Sequence, residues 1–160
     1  MILTSPRWAL AKQKAQELTR GYSAPPIPVA EIAEQCGVDV VFAEFGSGAA
    51  TVAGFCDFEE KQIVVNDQEN FGRKMFTIAH ELGHWILHKR FFEAHPEKYA
   101  VLPRFQKPAR NPFEQEANAF AAELLAPTQL LIPVKSAGVA KLANVFGVSR
   151  EMMEYRLRNV

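Results

Sequence analysis

The chain has little cysteine: Cys36 and Cys56 stand alone, with no CxxC and no neighbouring Cys/His pair. That excludes a disulfide framework and a thiolate zinc site, and makes a reducing cytoplasm the expected setting. There is no excess of either charge, because 18 Lys plus Arg stand against 18 Asp plus Glu and the formal net charge is zero. A surface built mainly to coat nucleic acid or a membrane is not expected from that balance. No apolar run is long enough to span a bilayer, and the stretch from Met1 to Lys12 carries Arg7 without the apolar core of a signal peptide. Neither export nor membrane insertion is expected. Internal repeats and low-complexity tracts are also missing.

What is present is an ordinary globular composition, 48% apolar, 11% aromatic and 22% charged over 160 residues. A chain of this size buries roughly two thirds of its unfolded surface. One domain over 1–160 is therefore expected, with helices in 1–37, a sheet in 38–66, two long helices and a lid loop in 67–127, and a helix pair in 128–160.

Ser5 as N-cap and Pro6 as first helical residue would open a helix whose apolar positions Trp8, Ala11, Ala15 and Leu18 recur at helical spacing up to Gly21. The proline-rich 23–28 then leads into a short helix over 29–36, stopped by Gly37. Residues 38–45 and 51–65 turn β-branched and aromatic, with turn candidates at Gly46-Ser47-Gly48 and Glu59-Glu60-Lys61. They predict a three-stranded, mainly antiparallel sheet. A helix follows over about 71–89, with Phe71, Met75, Ile78, Leu82 and Trp85 on the face that should pack on the sheet. Pro96, Pro103 and Pro108 among aromatic and basic residues make 90–111 a candidate lid without continuous secondary structure. Asn111-Pro112 opens another helix, ended by Pro127, and helices over 139–146 and 150–158 complete the chain, the last capped by Ser149. The fold class expected is α+β.

The chemistry concentrates in His80-Glu81-Leu82-Gly83-His84. Histidines four apart on a helix lie about 40° apart around the axis and about 6 Å along it, so both imidazoles can grip one ion. Glu81, next to the first histidine, can hold and deprotonate a water without being a ligand. Zinc suits nitrogen and oxygen donors and brings a bound water toward neutral pKa. An accidental HExxH is expected in roughly one sequence in a hundred of this composition. Here Thr77, His80, Glu81, His84 and His88 share the helix side opposite the apolar stripe, so the competing reading is a row of solvated surface histidines.

A catalytic site needs a third protein ligand and one open position. Glu114 and Glu116 both qualify. Glu114 shares a stripe with Ala117, Asn118, Ala121 and Leu125, which allows close helix approach and puts Asn118 one turn away as a partner for a ligand. Glu116 shares its stripe with Ala119 and Glu123, a wetter set, and is held in reserve. Against Glu114 stands its place three residues after Asn111, where a carboxylate commonly closes a capping box.

The words from Phe76 to His84, the later His88, the run from Glu114 to Pro127 and the strand Ile63-Val64-Val65-Asn66 resemble the ImmA/IrrE metallopeptidases, a reduced relative of the gluzincins. The resemblance covers about residues 28–158, and HExxH paired with ExxAN is far more specific than either word alone. It favours Glu114 over Glu116. Ala126 departs from the methionine frequent in the family before the proline, at no cost to the chemistry. The resemblance implies a soluble zinc endopeptidase with ligands His80, His84 and Glu114, with Glu81 as base, and with Asn118 and His88 supporting the ligands. It also implies a helix-turn-helix repressor as target, in the control of a mobile element or a stress response.

Two other functions compete. The segment 142–149 resembles the first helix and turn of a DNA-binding helix-turn-helix, but Arg150, Arg156 and Arg158 share the following helix with Glu151 and Glu154, too little charge for phosphate contacts. Direct DNA binding is not expected. A purely structural metal would leave Glu81 without a use. His95, Tyr99 and Arg104 lie in the lid candidate, where ordinary loop roles are expected. The strand 51–56 is a candidate edge for an extended peptide.

Overall fold

The computed structural model describes residues 3–45, 52–95, 101–105 and 111–160, with 101–105 as backbone only. In chain order the elements are helices α1 (Trp8–Thr19) and α2 (Val29–Gln35), strands β1 (Asp39–Ala43), β2 (Val52–Asp57) and β3 (Gln62–Asn66), helix α3 (Phe71–Ala94), strand β4 (Val101–Phe105), and helices α4 (Pro112–Leu125), α5 (Thr128–Leu131), α6 (Val139–Phe146) and α7 (Arg150–Arg158). A 3-10 turn, Ile132–Val134, extends α5. The α+β class holds. Among the described residues no helix is long and apolar enough to cross a membrane.

Among the described residues the sheet has four strands in the order β1-β3-β2-β4. β2 runs antiparallel to both neighbours, while β1 lies parallel to β3, Val40 opposite Ile63 and Phe42 opposite Val65. The expected three strands missed β4, which forms inside the stretch read as lid. Its Pro103 is tolerated because the strand is at an edge. Consequently β2 is an interior strand with both sides paired, and the reading of 51–56 as an open edge for a peptide is overturned over 52–56. The β2–β3 turn lies where expected: Asp57 Oδ1 accepts from the Glu59 and Glu60 N–H groups, and Lys61 takes a left-handed conformation. The glycine turn candidate at 46–48 lies outside the described residues.

Helix α1 begins at Trp8 rather than Pro6, because the Arg7 N–H is turned to a side chain of α4 instead of opening the helix. Helix α3 continues past Lys89 to Ala94. Phe91 is buried there and Phe92 stacks on Phe58 with centroids 5.1 Å apart, which extends the helix into the supposed lid. The α7 N-terminus matches expectation, with Ser149 Oγ accepting from the Met152 N–H.

One hydrophobic core joins α1, α2, the sheet, α3, α4 and the C-terminal helices, with Ile32, Ile63, Ile78, Leu82, Phe120, Leu124, Phe146 and Met153 fully buried. Helix α3 is enclosed on every side between residues 77 and 85. The competing reading of solvated surface histidines fails here, because the polar face of α3 is covered by α4 and by β2. On the sheet side the approach is set by Gly54, where a Cβ would lie 2.6 Å from the Val64 carbonyl oxygen and 2.7 Å from the Thr77 methyl. Backbone cannot give way cheaply, so Gly54→Ala should cost about 2 kcal/mol of stability, as overpacked cores do. Urea unfolding measures this, and an unchanged midpoint would contradict the tight approach of sheet and helix.

Candidate metal centre

Three side chains converge between α3 and α4. One donor atom each from His80, His84 and Glu114 lies within 4.8 Å of the other two. His80 Nε2 is 2.7 Å from Glu114 Oε2 and His84 Nε2 is 3.3 Å from Glu114 Oε1. Both histidines are buried and the glutamate is partly so. Local sequence explains how each arrives. Asn70 caps α3 by accepting from the Arg73 N–H, and one helical turn separates the two imidazoles. Asn111 caps α4 by accepting from the Glu114 N–H, with Pro112 at the first turn. The capping position therefore anchors Glu114 by its backbone, while its carboxylate reaches the two imidazoles.

The two helices meet at Gly83. A Cβ there would lie 3.2 Å from the Ala117 Cα and 3.1 Å from the Phe120 ring. The glycine inside HExxH and the alanine of α4 thus set how near Glu114 comes to the histidine pair.

The outer ring nitrogens decide what the inner ones present. His80 Nδ1 lies 2.8 Å from Asn118 Oδ1, an amide oxygen that only accepts, so this nitrogen carries hydrogen and a neutral His80 turns the Nε2 lone pair to the centre. A lone pair and a carboxylate oxygen 2.7 Å apart repel unless a cation, a proton or a metal ion, lies between them. The donor set, two imidazole nitrogens and one carboxylate oxygen, is the type that holds a divalent metal while leaving a position open. Burial alone would raise the Glu114 carboxyl, but its contacts with His80 and His84 outweigh that and hold it well below the usual carboxylate range.

Glu81, the base expected from the sequence, is fully buried on α3 beside the first ligand candidate. Its charge reaches β2, where burial first and then Glu81 push the Cys56 thiol upward, so Cys56 stays a protonated thiol. His88 does not join the three donor atoms. Its Nδ1 meets His84 Nδ1 at 2.8 Å and its Nε2 meets Glu116 Oε1 at 2.9 Å. The reserve candidate Glu116 is therefore engaged elsewhere, also receiving the Arg7 Nε at 2.8 Å, Nη2 at 2.8 Å and backbone N–H at 2.7 Å.

The expectation that the Glu116 and Glu123 stripe is wet is corrected, since both are buried and each is matched by an arginine. The sequence offers no local sign of this, because Arg7 is 109 positions from Glu116. Of the lid residues, His95 is exposed just past α3. Tyr99 and the Arg104 side chain lie outside the described residues.

A family model described as the IrrE N-terminal-like domain, of a peptidase family, matches residues 33–158. Metallopeptidase ImmA of Bacillus subtilis (strain 168) is 29% identical over 103 residues, 62% of this chain and 57% of that protein. An uncharacterized immunity region protein 2 of Bacillus phage phi105 is 31% identical over 87 residues, 53% of this chain and 51% of that protein. The chain thus spans little more than half the length of these relatives. A solved Mycobacterium tuberculosis transcriptional regulator shares the fold at TM-score 0.67 and 17% identity, covering 92% of this chain and 46% of that one.

A pH dependence follows from His88. Burial, the largest influence, outweighs the pull of Glu116 and lowers its pKa to about 4, against an ordinary value near 6.5. Between these values the unfolded chain binds more protons than the folded one, so stability falls as pH falls from about 6.5 to about 4, by up to about 3 kcal/mol. Glu116 adds to the loss at lower pH: burial would raise its carboxyl, but Arg7 and His88 hold it at about 2. Urea midpoints of the metal-free protein should drop over this range, and less steeply in His88→Gln. A midpoint independent of pH would contradict a neutral, buried His88.

Proposed function

The chain belongs to the peptidase family of the IrrE N-terminal-like domain, and from that premise we propose that it is a zinc-dependent endopeptidase acting on a protein, most specifically a helix-turn-helix repressor. The observation that carries this is the meeting of His80, His84 and Glu114 between two helices, with Glu81 buried beside them. His80, His84 and Glu114 would hold the ion. Bound there, zinc supplies Lewis acidity toward a peptide carbonyl and makes a water acidic enough to react near neutral pH.

The chain's own residues supply the rest. Glu81 takes a proton from the attacking water and returns it to the leaving amine, a base and then an acid from one carboxylate. Its burial keeps bulk water from competing for that proton. Asn118 keeps the His80 ring turned with Nε2 inward, and His88 does the same for His84.

The repressor as substrate is supported by the immunity region named in the phage relative and by the peptidase ImmA. A cytoplasmic setting and freedom from membranes belong to the same proposal, consistent with two free cysteines. Direct DNA binding through α6 and α7 is disfavoured by a specific observation. Arg156, one of three arginines on the would-be recognition helix, is buried and donates to Glu123 Oε1, Thr128 Oγ1 and the Ala126 carbonyl.

The purified chain should bind about one zinc ion. Glu81→Gln should bind it equally well and lose cleavage of a helix-turn-helix repressor substrate by at least about 100-fold. Mass spectrometry of the repressor together with metal analysis reads both. Cleavage at the unmutated rate by Glu81→Gln would remove the base, and a chain without bound zinc would remove the mechanism.

A further inference from the structure

The metal centre is tied to the N-terminal helix by an unbroken line of hydrogen bonds, partly buried at Arg7 and buried from Glu116 inward. It runs from Arg7 at the cap of α1, through Glu116 on α4 and His88 on α3, to His84. Glu116 and His88 are 0% and 1% exposed, so water does not substitute for a missing partner. The direction of the line is fixed by its chemistry. Arg7 presents its backbone N–H, Nε and Nη2 to the two oxygens of Glu116. A carboxylate clasped in this way accepts only, so His88 Nε2 carries hydrogen. In a neutral His88, Nδ1 is then the acceptor, and His84 Nδ1 must be the donor. What remains on His84 is the Nε2 lone pair, turned toward Glu114. The last group in the line, Arg7, lies outside the matched segment 33–158.

We propose that Arg7 is a positioning residue for the metal centre, acting through Glu116 and His88 to hold the His84 ring in the tautomer and orientation that bind metal. The proposal rests on the metal reading above. Without Arg7, Glu116 loses three donors and the fixed rotamer they impose, His88 loses a fixed acceptor, and the His84 ring is held less firmly through it. Phe113 and Phe91 bracket His88 edge-on, at 4.9 Å and 6.2 Å between centroids, and restrain where its ring sits but not which nitrogen carries hydrogen. Docking of α1 and metal affinity are then linked quantities. By reciprocity, metal at the centre tightens the seat of α1 as much as α1 tightens the metal.

Zinc affinity measured by chelator competition tests this on the full chain. Loss of a group that orients a ligand weakens metal binding by about 10- to 100-fold, the effect expected for Arg7→Met. Arg7→Lys, which keeps the charge but not the two-pronged clasp, should recover part of the loss and secures the test if Arg7→Met fails to fold. Ala143→Gly, on the buried side of α6, an element that contributes nothing to the line, should lower the melting temperature yet leave zinc affinity within about twofold. Zinc should also slow amide exchange across α1 in the unmutated chain and lose that effect in Arg7→Met. An unmutated chain without zinc affinity would overturn the metal reading itself. Zinc bound equally by the unmutated chain and both Arg7 variants, or equal weakening by Ala143→Gly, would overturn the role of Arg7 alone.

Discussion

The structure depends on one contact, the close approach of α3 and α4 at Gly83 and Ala117. It shuts His80, Glu81, His84, His88 and Glu116 away from water. Each of these would cost several kcal/mol if buried alone, so the seam is stable only when its members satisfy one another. That requirement places every side chain within narrow limits, because a ring turned the wrong way leaves two polar atoms unsatisfied. A site built this way on two rigid helices is organised before anything binds, which is what an ion with a preferred geometry needs.

The parts of the fold legible in the sequence were those written locally. Ser149 and Asn111 cap helices where their side chains predict, Gly37 takes the positive φ that ends α2, and the HExxH spacing alone aligns two imidazoles. What could not be read locally was decided by distant partners. Phe92 continues α3 because Phe58 lies beneath it. Residues 101–105 form a strand because β2 offers an edge, and β1 lies parallel to β3, a pairing that periodicity does not encode. The alternative of solvated histidines on α3 arises because amphipathicity counts residue types and not the helix that covers them, and here α4 covers them. ImmA/IrrE-like words in the sequence indicated where the two covering surfaces meet, and the arginines behind them were silent.

Those arginines share one design. Helix α4 carries two fully buried glutamates, and each is held by an arginine from an end of the chain, Glu116 by Arg7 and Glu123 by Arg156. Glu123 also accepts from the backbone and hydroxyl of Thr128, which fixes the turn after α4. Removing one member of such a pair leaves an uncompensated charge in the core, a loss of about 3–5 kcal/mol in comparable cases. The terminal helices are thus clamps on the helix that brings Glu114 to the histidines. The same pairing takes Arg156 out of any exposed basic face, so the feature that resembled a DNA-reading helix is part of the scaffold.

Glu114 and Glu116 show why position alone does not make a ligand. They stand two residues apart on α4, and each has imidazole Nε2 atoms within reach. A carboxylate has about four lone-pair directions. Those of Glu116 are taken by three donors of Arg7 and one of His88, so an ion would have to displace hydrogen bonds already made. Among the described residues no arginine or lysine pairs with Glu114, whose oxygens face the inner nitrogens of His80 and His84. With Asn118 and His88 taking the outer hydrogens of those rings, the three inner atoms are all electron-pair donors turned on one point. Only a cation resolves that arrangement, and it is the partner count around each glutamate, set from as far away as Arg7, that separates the clamp from the candidate ligand.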